Sequence, residues 1–172
     1  VPVPKKIHPR THSDYRPVAL TSHAMKSLER LLLKHLRTVV APSLDPLQFA
    51  YQPRIGVEDA TIFLLHRVHT HLEKAGSTVR VMFFYFSSAF TTIRPALLSS
   101  ELLDMQVDAP LVSWITNYLT ARPQYVKLQN NTSDIILSST GAPQGTALSP
   151  FLFTVYTSDF RHCSQSCYCL LY

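Results

Sequence analysis

The amino-acid sequence predicts an α+β fold from three observations. Residues 22–40 and a second stretch that begins at Gly56 repeat apolar side chains at helical spacing. The run 81–86 is almost wholly apolar and rich in β-branched and aromatic residues, which is typical of a buried strand. Residues 123–129 and 134–138 alternate in polarity like the two strands of a hairpin. With 172 residues, the chain is long enough to bury one core of ordinary size.

Each helix of this fold has recognisable end signals. Ser22 is the predicted cap of the first helix. The second helix is predicted to begin with acidic residues in its first turn and to end at Gly76. A third helix is expected over 92–103, with Pro95 near its start, and a fourth from Asp108 to Thr120.

Composition excludes several classes of protein. A hydrophobic fraction of 46% and a charged fraction of 16% indicate a globular chain rather than a disordered one. No apolar run has the length of a membrane span. The start, VPVPKKIH, is charged and broken by prolines, which excludes a signal peptide and favours the nucleus or cytoplasm over secretion. The first residue is not Met, so we expect a fragment of a longer reading frame.

The net charge of +5 is unevenly distributed. In the opening segment a single acidic residue, Asp14, stands against a basic group made of Lys5, Lys6, Arg10 and Arg16. Such a basic arm suits a polyphosphate partner, and the alternative is an ordinary solvated surface.

Neither the cysteines nor the histidines predict a metal site. The three cysteines near the C-terminus contain no C-x-x-C spacing. In the second predicted helix, His66 and His69 share a face but lack further ligands. We therefore expect no metal at these residues.

Residues 81–93, VMFFYFSSAFTTI, carry the first resemblance to a known family. They resemble the first catalytic motif of reverse transcriptases from non-LTR (LINE-type) retrotransposons, an apolar run followed by D-F-S-S-A-F-[ND]-[TS]-I. In place of the metal-binding Asp of that motif, this chain has Tyr85. The resemblance also implies that Phe90 is the steric gate that crowds a ribose 2′-hydroxyl, and the alternative is a core aromatic.

Residues 139–153, STGAPQGTALSPFLF, resemble a second motif of the same family, G-[VA]-P-Q-G-[ST]-x-L-S-P-[LF]-L-F. Two glycines permit a tight turn around Pro143, and we expect Thr146 to begin a helix. The resemblance implies that Gln144, with Gly145 beside it, contacts the nascent base pair and sugar.

Two further segments resemble the fingers of these enzymes. In the first, the resemblance implies that Arg16 and Lys26 grip an incoming triphosphate, and the alternative is that both are surface charges. Residues 48–54, QFAYQPR, resemble the template side of the fingers. The resemblance thus implies reverse-transcriptase-like fingers over 1–76, with a basic N-terminal arm and two helices, and a partial palm over 77–172.

The third motif of the family, [YF]-x-D-D, is expected to begin at about Tyr172, so we expect the palm to be truncated before it. Active members of the family use Mg2+ held by carboxylates. A phenol, whose ordinary pKa is about 10, does not replace a carboxylate at neutral pH, so Tyr85 is no substitute for the Asp. We therefore predict that no catalytic residue is intact, that no metal is bound and that no cofactor is used by the chain as written.

The leading functional hypothesis is a degenerate, non-catalytic RNA-directed DNA polymerase domain. It would be the remnant of a transposable element that retains weak binding to an RNA or DNA primer–template. One alternative is an excerpt of an active polymerase whose remaining motifs lie downstream. Another is a structural or interaction module with no nucleic-acid role. The oligomeric state is not predicted.

Overall fold

The computed structural model describes residues 1–83, 86, 88–128 and 130–160. The helices are α1 (His23–Val40), α2 (Val57–Leu72), α3 (Pro95–Asp104), α4 (Ala109–Leu119) and α5 (Ser149–Tyr156). The strands are β1 (Pro2–Pro4), β2 (Tyr15–Pro17), β3 (Arg122–Gln124), β4 (Lys127–Leu128), β5 (Asn131–Thr132) and β6 (Ile136–Ser138). These helices and small antiparallel sheets make an α+β fold.

The chain forms two compact units. The first unit combines Val1–Ser43 with Ser88–Tyr156, and the second combines Leu44–Ser87 with Thr157–Tyr172. These units are defined by packing, so the functional division at residue 76 into fingers-like and palm segments stays a prediction.

The N-terminal arm of the first unit is an antiparallel pair of strands, β1 and β2, in which Pro2 lies opposite Pro17. The loop between the strands is organised by Asp14. Its carboxylate pairs with Lys6 Nζ at 2.8 Å and accepts hydrogen bonds from the backbone N–H groups of Arg10 and Thr11. The neighbouring ammonium of Lys6 and these backbone donors hold the pKa of the Asp14 carboxyl well below its usual range.

Helix α1 begins where the sequence predicted. The Ser22 hydroxyl accepts a hydrogen bond from the Met25 N–H at 3.2 Å, which caps the helix. Leu36 and Val40, both fully buried, anchor the C-terminal half of the helix.

The core of the first unit lies among α3, α4 and α5. Helix α3 packs against both of the others, and the hydroxyls of Ser99 and Thr116 join α3 to α4 at 2.7 Å. The largest fully buried apolar side chains here are Ile93, Leu98, Leu102, Ile115, Leu119, Leu148, Leu152 and Val155. No described helix combines the length and apolar character needed to cross a bilayer.

The predicted hairpin is confirmed in part: β3, β4 and β6 overlap the two predicted strands, whereas β5 lies between them, where the sequence predicted only a turn. Strand β3 pairs with β6 and strand β4 pairs with β5, both antiparallel. Between the two ladders, the Ser133 hydroxyl accepts a hydrogen bond from the Val126 N–H at 2.9 Å, so a side chain replaces part of the strand pairing.

In the second unit, α2 begins after Gly56, whose N–H donates to the Asp59 carboxylate at 2.7 Å. The ring centroids of Phe49 and Phe63 lie 5.7 Å apart. The predicted apolar face is only partly covered, because Leu65 and Leu72 are 52% and 48% exposed.

The prediction of a buried strand over 81–86 is wrong for the described residues of that run, 81–83 and 86. None of them is in a strand, and Met82 and Phe83 are 76% and 75% exposed. A strand is stable only when a neighbouring strand takes up its backbone hydrogen bonds. None of the described strand pairs includes this run.

Candidate nucleotide-binding site

The first-motif turn places Phe90 on the first unit's core. Ser88 adopts a left-handed conformation, with φ of 63°, and a 3-10 turn over Ala89–Thr91 follows. The Thr91 hydroxyl donates to the Ser88 carbonyl at 2.8 Å, which closes the turn. The half-buried Phe90 ring lies edge to face with Phe153 of α5, with centroids 5.7 Å apart. Phe90 therefore has a packing role, and its role as a steric gate stays a prediction.

Backbone hydrogen bonds join the first motif to the second. The Ala142 N–H donates to the Phe90 carbonyl and the Gly141 N–H to the Ile93 carbonyl, each at 2.7 Å. Gly141 has φ of +70°, and a Cβ added there would lie 2.8 Å from Thr91 Cα. Only glycine allows the two segments to approach this closely.

The second-motif turn also contacts the N-terminal arm. The Ala19 N–H donates to the Gln144 carbonyl at 2.7 Å. Gly145, with φ of +92°, lies so close to Val18 that an added Cβ would be 2.9 Å from its Cγ1 atom. The half-buried Gln144 side-chain amide makes no hydrogen bond with the described residues, and its contact with a nucleotide stays a prediction.

A hydroxyl network shapes the start of α5. The Thr146 and Ser149 hydroxyls both donate to the Pro143 carbonyl, at 3.1 and 2.8 Å. The Ser149 N–H donates to the Thr146 hydroxyl at 3.3 Å. The prediction that Thr146 begins a helix is therefore wrong by three residues, because its hydroxyl closes the turn before the helix starts at Ser149.

Glu29 of α1 links three parts of the first unit. Its side chain is 0% exposed. Its Oε1 atom accepts from the Tyr118 hydroxyl of α4 at 3.0 Å, and its Oε2 atom accepts from the Ala147 N–H at 2.8 Å. Burial raises the pKa of the Tyr118 phenol well above its usual value, and the neighbouring Glu29 adds to the effect. The Trp114 ring stacks on Tyr118 with centroids 5.5 Å apart.

Sequence reasoning missed Glu29, although a signal was present. Glu29 lies four residues after Met25 and three before Leu32, so it belongs to the apolar side of an amphipathic helix. An acidic residue in that place indicates a buried group that requires hydrogen-bond donors.

Arg122 is a second site residue that sequence reasoning missed. Its Nη2 atom donates to the carbonyls of Thr140 and Gly141 at 2.8 and 2.9 Å, and its Nε atom donates to the Leu119 carbonyl at 3.1 Å. Burial lowers the pKa of the guanidinium. Arg122 thus fixes the backbone directly before the second-motif turn.

The structure gathers some of the predicted site residues and separates others. Phe90, Gln144 and Gly145 belong to two segments that share hydrogen bonds. Arg16 is exposed on β2, and Lys26 is half-buried in the first turn of α1. Within the described part of the chain, neither basic side chain forms a hydrogen bond or ion pair. Tyr85 lies outside the described residues, as do all three cysteines.

The residues that the structure describes do not fit a catalytic magnesium ion. Mg2+ requires oxygen ligands in near-octahedral geometry, mostly carboxylates and water. Glu29 is buried and both of its oxygens accept hydrogen bonds, and Asp14 is paired with Lys6. Among the described residues, no group of three or more His, Cys, Asp or Glu side chains is arranged to hold a metal ion.

Together, the two motifs and the α+β scaffold define a domain of the polymerase class. Residues 3–172 match the reverse transcriptase (RNA-dependent DNA polymerase) family, and the chain belongs to that family. The resemblance to non-LTR retrotransposon enzymes is thereby confirmed.

Relatives come from insect mobile elements. Over 158 residues, the chain is 30% identical to an RNA-directed DNA polymerase from the mobile element jockey of Drosophila funebris, covering 85% of this chain and 16% of the relative. It is 28% identical over 151 residues to a probable RNA-directed DNA polymerase from transposon BS of Drosophila melanogaster, covering 85% and 16%. A Pol polyprotein from the type-1 retrotransposable element R2 of Popillia japonica is 26% identical over 165 residues, covering 95% and 23%. The chain therefore spans less than a quarter of the length of each relative.

Proposed function

We propose that this chain is a degenerate reverse transcriptase domain that does not catalyse DNA synthesis as it stands. We further propose that it retains weak binding to an RNA or DNA primer–template. The observation that carries the first statement is Tyr85, which occupies the position of the metal-binding Asp in the family's first motif.

The chemistry of nucleotide transfer supports this proposal. Polymerases hold Mg2+ ions with carboxylates, and the ions stabilise charge at the attacking hydroxyl and the transferring phosphate. A tyrosine phenol, the group that stands at position 85, is ordinarily neutral near pH 7 and is therefore a poor ligand for these ions. Loss of one such stabilising group commonly lowers the rate by about 100-fold to 1000-fold.

The retained binding is supported by the parts of the site that remain built. The second-motif turn keeps a ligand-accessible Gln144 side chain beside the close-packed Gly145. The N-terminal arm presents Lys5, Arg10 and Arg16 as exposed cations. Exposed cations of this kind attract phosphates in a salt-dependent manner.

Primer extension tests the catalytic part of the proposal. The purified chain is incubated with a labelled primer–template, all four deoxynucleotides and either Mg2+ or Mn2+, beside an active reverse transcriptase. We expect no template-dependent product above the enzyme-free blank. Product from the chain itself would overturn the proposal.

The first alternative, an excerpt of an active polymerase, is tested on the gene. It requires the [YF]-x-D-D motif in frame after the codon for Tyr172 and extension activity in the longer protein with Tyr85 unchanged. Activity in that longer protein would replace our proposal by this alternative.

The second alternative, an interaction module with no nucleic-acid role, is tested by fluorescence anisotropy with a labelled primer–template. We expect binding that weakens steeply as salt is raised. Absence of binding at low salt would favour the alternative.

A further inference from the structure

Helix α1 carries a row of three cations, of which the family resemblance gives a role only to Lys26. Lys26, Arg30 and Lys34 are spaced four residues apart, so successive members are rotated by only about 40° around the helix axis. We call these three residues the cationic stripe. Arg30 and Lys34 are exposed and Lys26 is half-buried.

The charge of the stripe is not compensated within its helix. Glu29 is the only acidic residue of α1, and it is fully buried with both oxygens accepting hydrogen bonds. Within the described part of the chain, none of the three cationic side chains forms a hydrogen bond or an ion pair. The three adjacent positive charges therefore have no counter-charge from their own helix.

The dimensions of the stripe suit a phosphodiester backbone. Eight residues of helix separate Lys26 from Lys34, which corresponds to about 12 Å. One strand of a duplex places a phosphate about every 3.4 Å along its axis, so the stripe spans about four phosphates. A row of cations along a helix is a recognised electrostatic footprint of a nucleic-acid strand.

The Lys26 end of the stripe also lies beside the candidate site. Glu29, which is bonded to Ala147 of the second motif, is about 60° around the helix from Lys26. Arg30 and Lys34 are about 100° and 140° around the helix from Glu29, so a strand that follows the stripe is near the second-motif segment only at the Lys26 end.

We propose that the cationic stripe of α1 binds the phosphate backbone of an RNA or DNA strand. This rests on the nucleic-acid binding proposed above, and it assigns Arg30 and Lys34 a role that the family motifs do not give them. The shared ligand chemistry is the phosphodiester, so the two polymers should bind in the same way.

The test compares two triple variants of equal charge change. K26Q/R30Q/K34Q removes the stripe, and K74Q/R80Q/K127Q removes three exposed cations elsewhere. Binding of labelled single-stranded RNA and of DNA with the same sequence is followed by anisotropy across a salt series. Glutamine is a good helix former, so we expect α1 to be kept in the stripe variant, and circular dichroism is used to check this.

We expect the stripe variant to bind at least tenfold more weakly at low salt, and its slope of log K against log salt to fall by about 2. The single variants Arg30→Gln and Lys34→Gln should each lower the slope by about 0.7. The control variant should bind like the unaltered chain.

Equal losses in the two triple variants would overturn the inference, since net charge alone would then explain binding. Unchanged binding by the stripe variant would overturn it and leave the proposed nucleic-acid binding standing. A loss confined to RNA or to DNA would overturn the backbone assignment. Failure of the unaltered chain to bind either polymer would overturn both proposals.

Discussion

The Oε2 atom of Glu29 accepts a hydrogen bond from the backbone N–H of Ala147 at 2.8 Å, across 118 residues of sequence. A side chain of the first long helix thereby holds the backbone directly after the second-motif turn. Since Glu29 is fully buried, its loss leaves two part-buried donors, the Tyr118 hydroxyl and the Ala147 N–H, without their acceptor.

Glu29→Ala should lower the free energy of unfolding by about 2–4 kcal/mol, because Tyr118 and the Ala147 N–H both lose their acceptor. Urea unfolding followed by circular dichroism measures the change. Glu101→Ala is the control, since this half-buried α3 residue makes no side-chain hydrogen bond with described residues. An equal effect of both changes would contradict the assigned role.

Tyr118→Phe should alter how stability depends on alkaline pH. Burial raises the pKa of Tyr118 in the folded chain, so the folded state keeps the phenol proton that the unfolded state releases above pH 10 or so. This contribution is fully present below the unfolded pKa and is lost as pH rises through the folded one. Unfolding measured from neutral to alkaline pH should show a steeper loss in the unaltered chain than in the variant.

The matched control for Tyr118 is Tyr125→Phe, because Tyr125 is 58% exposed. That change should leave the alkaline slope as it is in the unaltered chain. An identical slope in the Tyr118 variant and the unaltered chain would refute the argument.

Gly141→Ala should destabilise the chain more than Gly76→Ala. The two glycines have similar φ values, +70° and +76°, but an added Cβ meets Thr91 Cα at 2.8 Å only in the first case. Left-handed strain alone costs about 1–2 kcal/mol at either position. The excess for Gly141, measured by urea unfolding, reports the close approach of the two motifs, and equal losses would argue against it.

The Asp14 carboxyl should titrate below the usual range when followed by NMR, because Lys6 and two backbone N–H groups stabilise the charged form. Lys6→Gln should raise its pKa toward the ordinary value of about 4. The folded arm gains stability from this group above the unfolded pKa and loses it as pH falls toward the folded one.

Lys5→Gln is the control for this titration, since the Lys5 ammonium donates to the Ser13 carbonyl and not to Asp14. Lys5→Gln should change the Asp14 pKa less than Lys6→Gln does. A pKa in the usual range in the unaltered chain would show that the Lys6 pair does not form in solution.

Local signals predicted the helices well. Ser22 as the cap of α1, the start of α2 at Gly56 and Asp108 before α4 all depend on residues near each other in sequence. The predicted stop at Gly76 is wrong, because α2 already ends at Leu72. The strand over 81–86 failed for the opposite reason. An apolar run needs a partner to become a strand, and its own residues do not reveal whether one is present.

The sequence predicted the two motifs of the candidate site, but it did not predict the side chains that hold those motifs in place. Gln144 and Gly145 were recognised from the residues around them. Glu29 and Arg122 hold the motif segments in place through partners that are distant in sequence. Glu29 accepts from the Ala147 N–H, and Arg122 donates to the backbone carbonyls of Thr140 and Gly141. A spacing pattern within one segment carries no information on such long-range bonds.

The hydrogen bonds from Ala142 to Phe90 and from Gly141 to Ile93 run between main-chain atoms alone. Every amino acid has the same backbone carbonyl, so substitution of the side chains at the accepting positions, Phe90 and Ile93, does not remove these hydrogen bonds. The fold and the catalytic residues can therefore change at different rates in evolution. Substitutions can remove catalytic side chains while the two segments stay hydrogen-bonded, provided that Gly141 is kept.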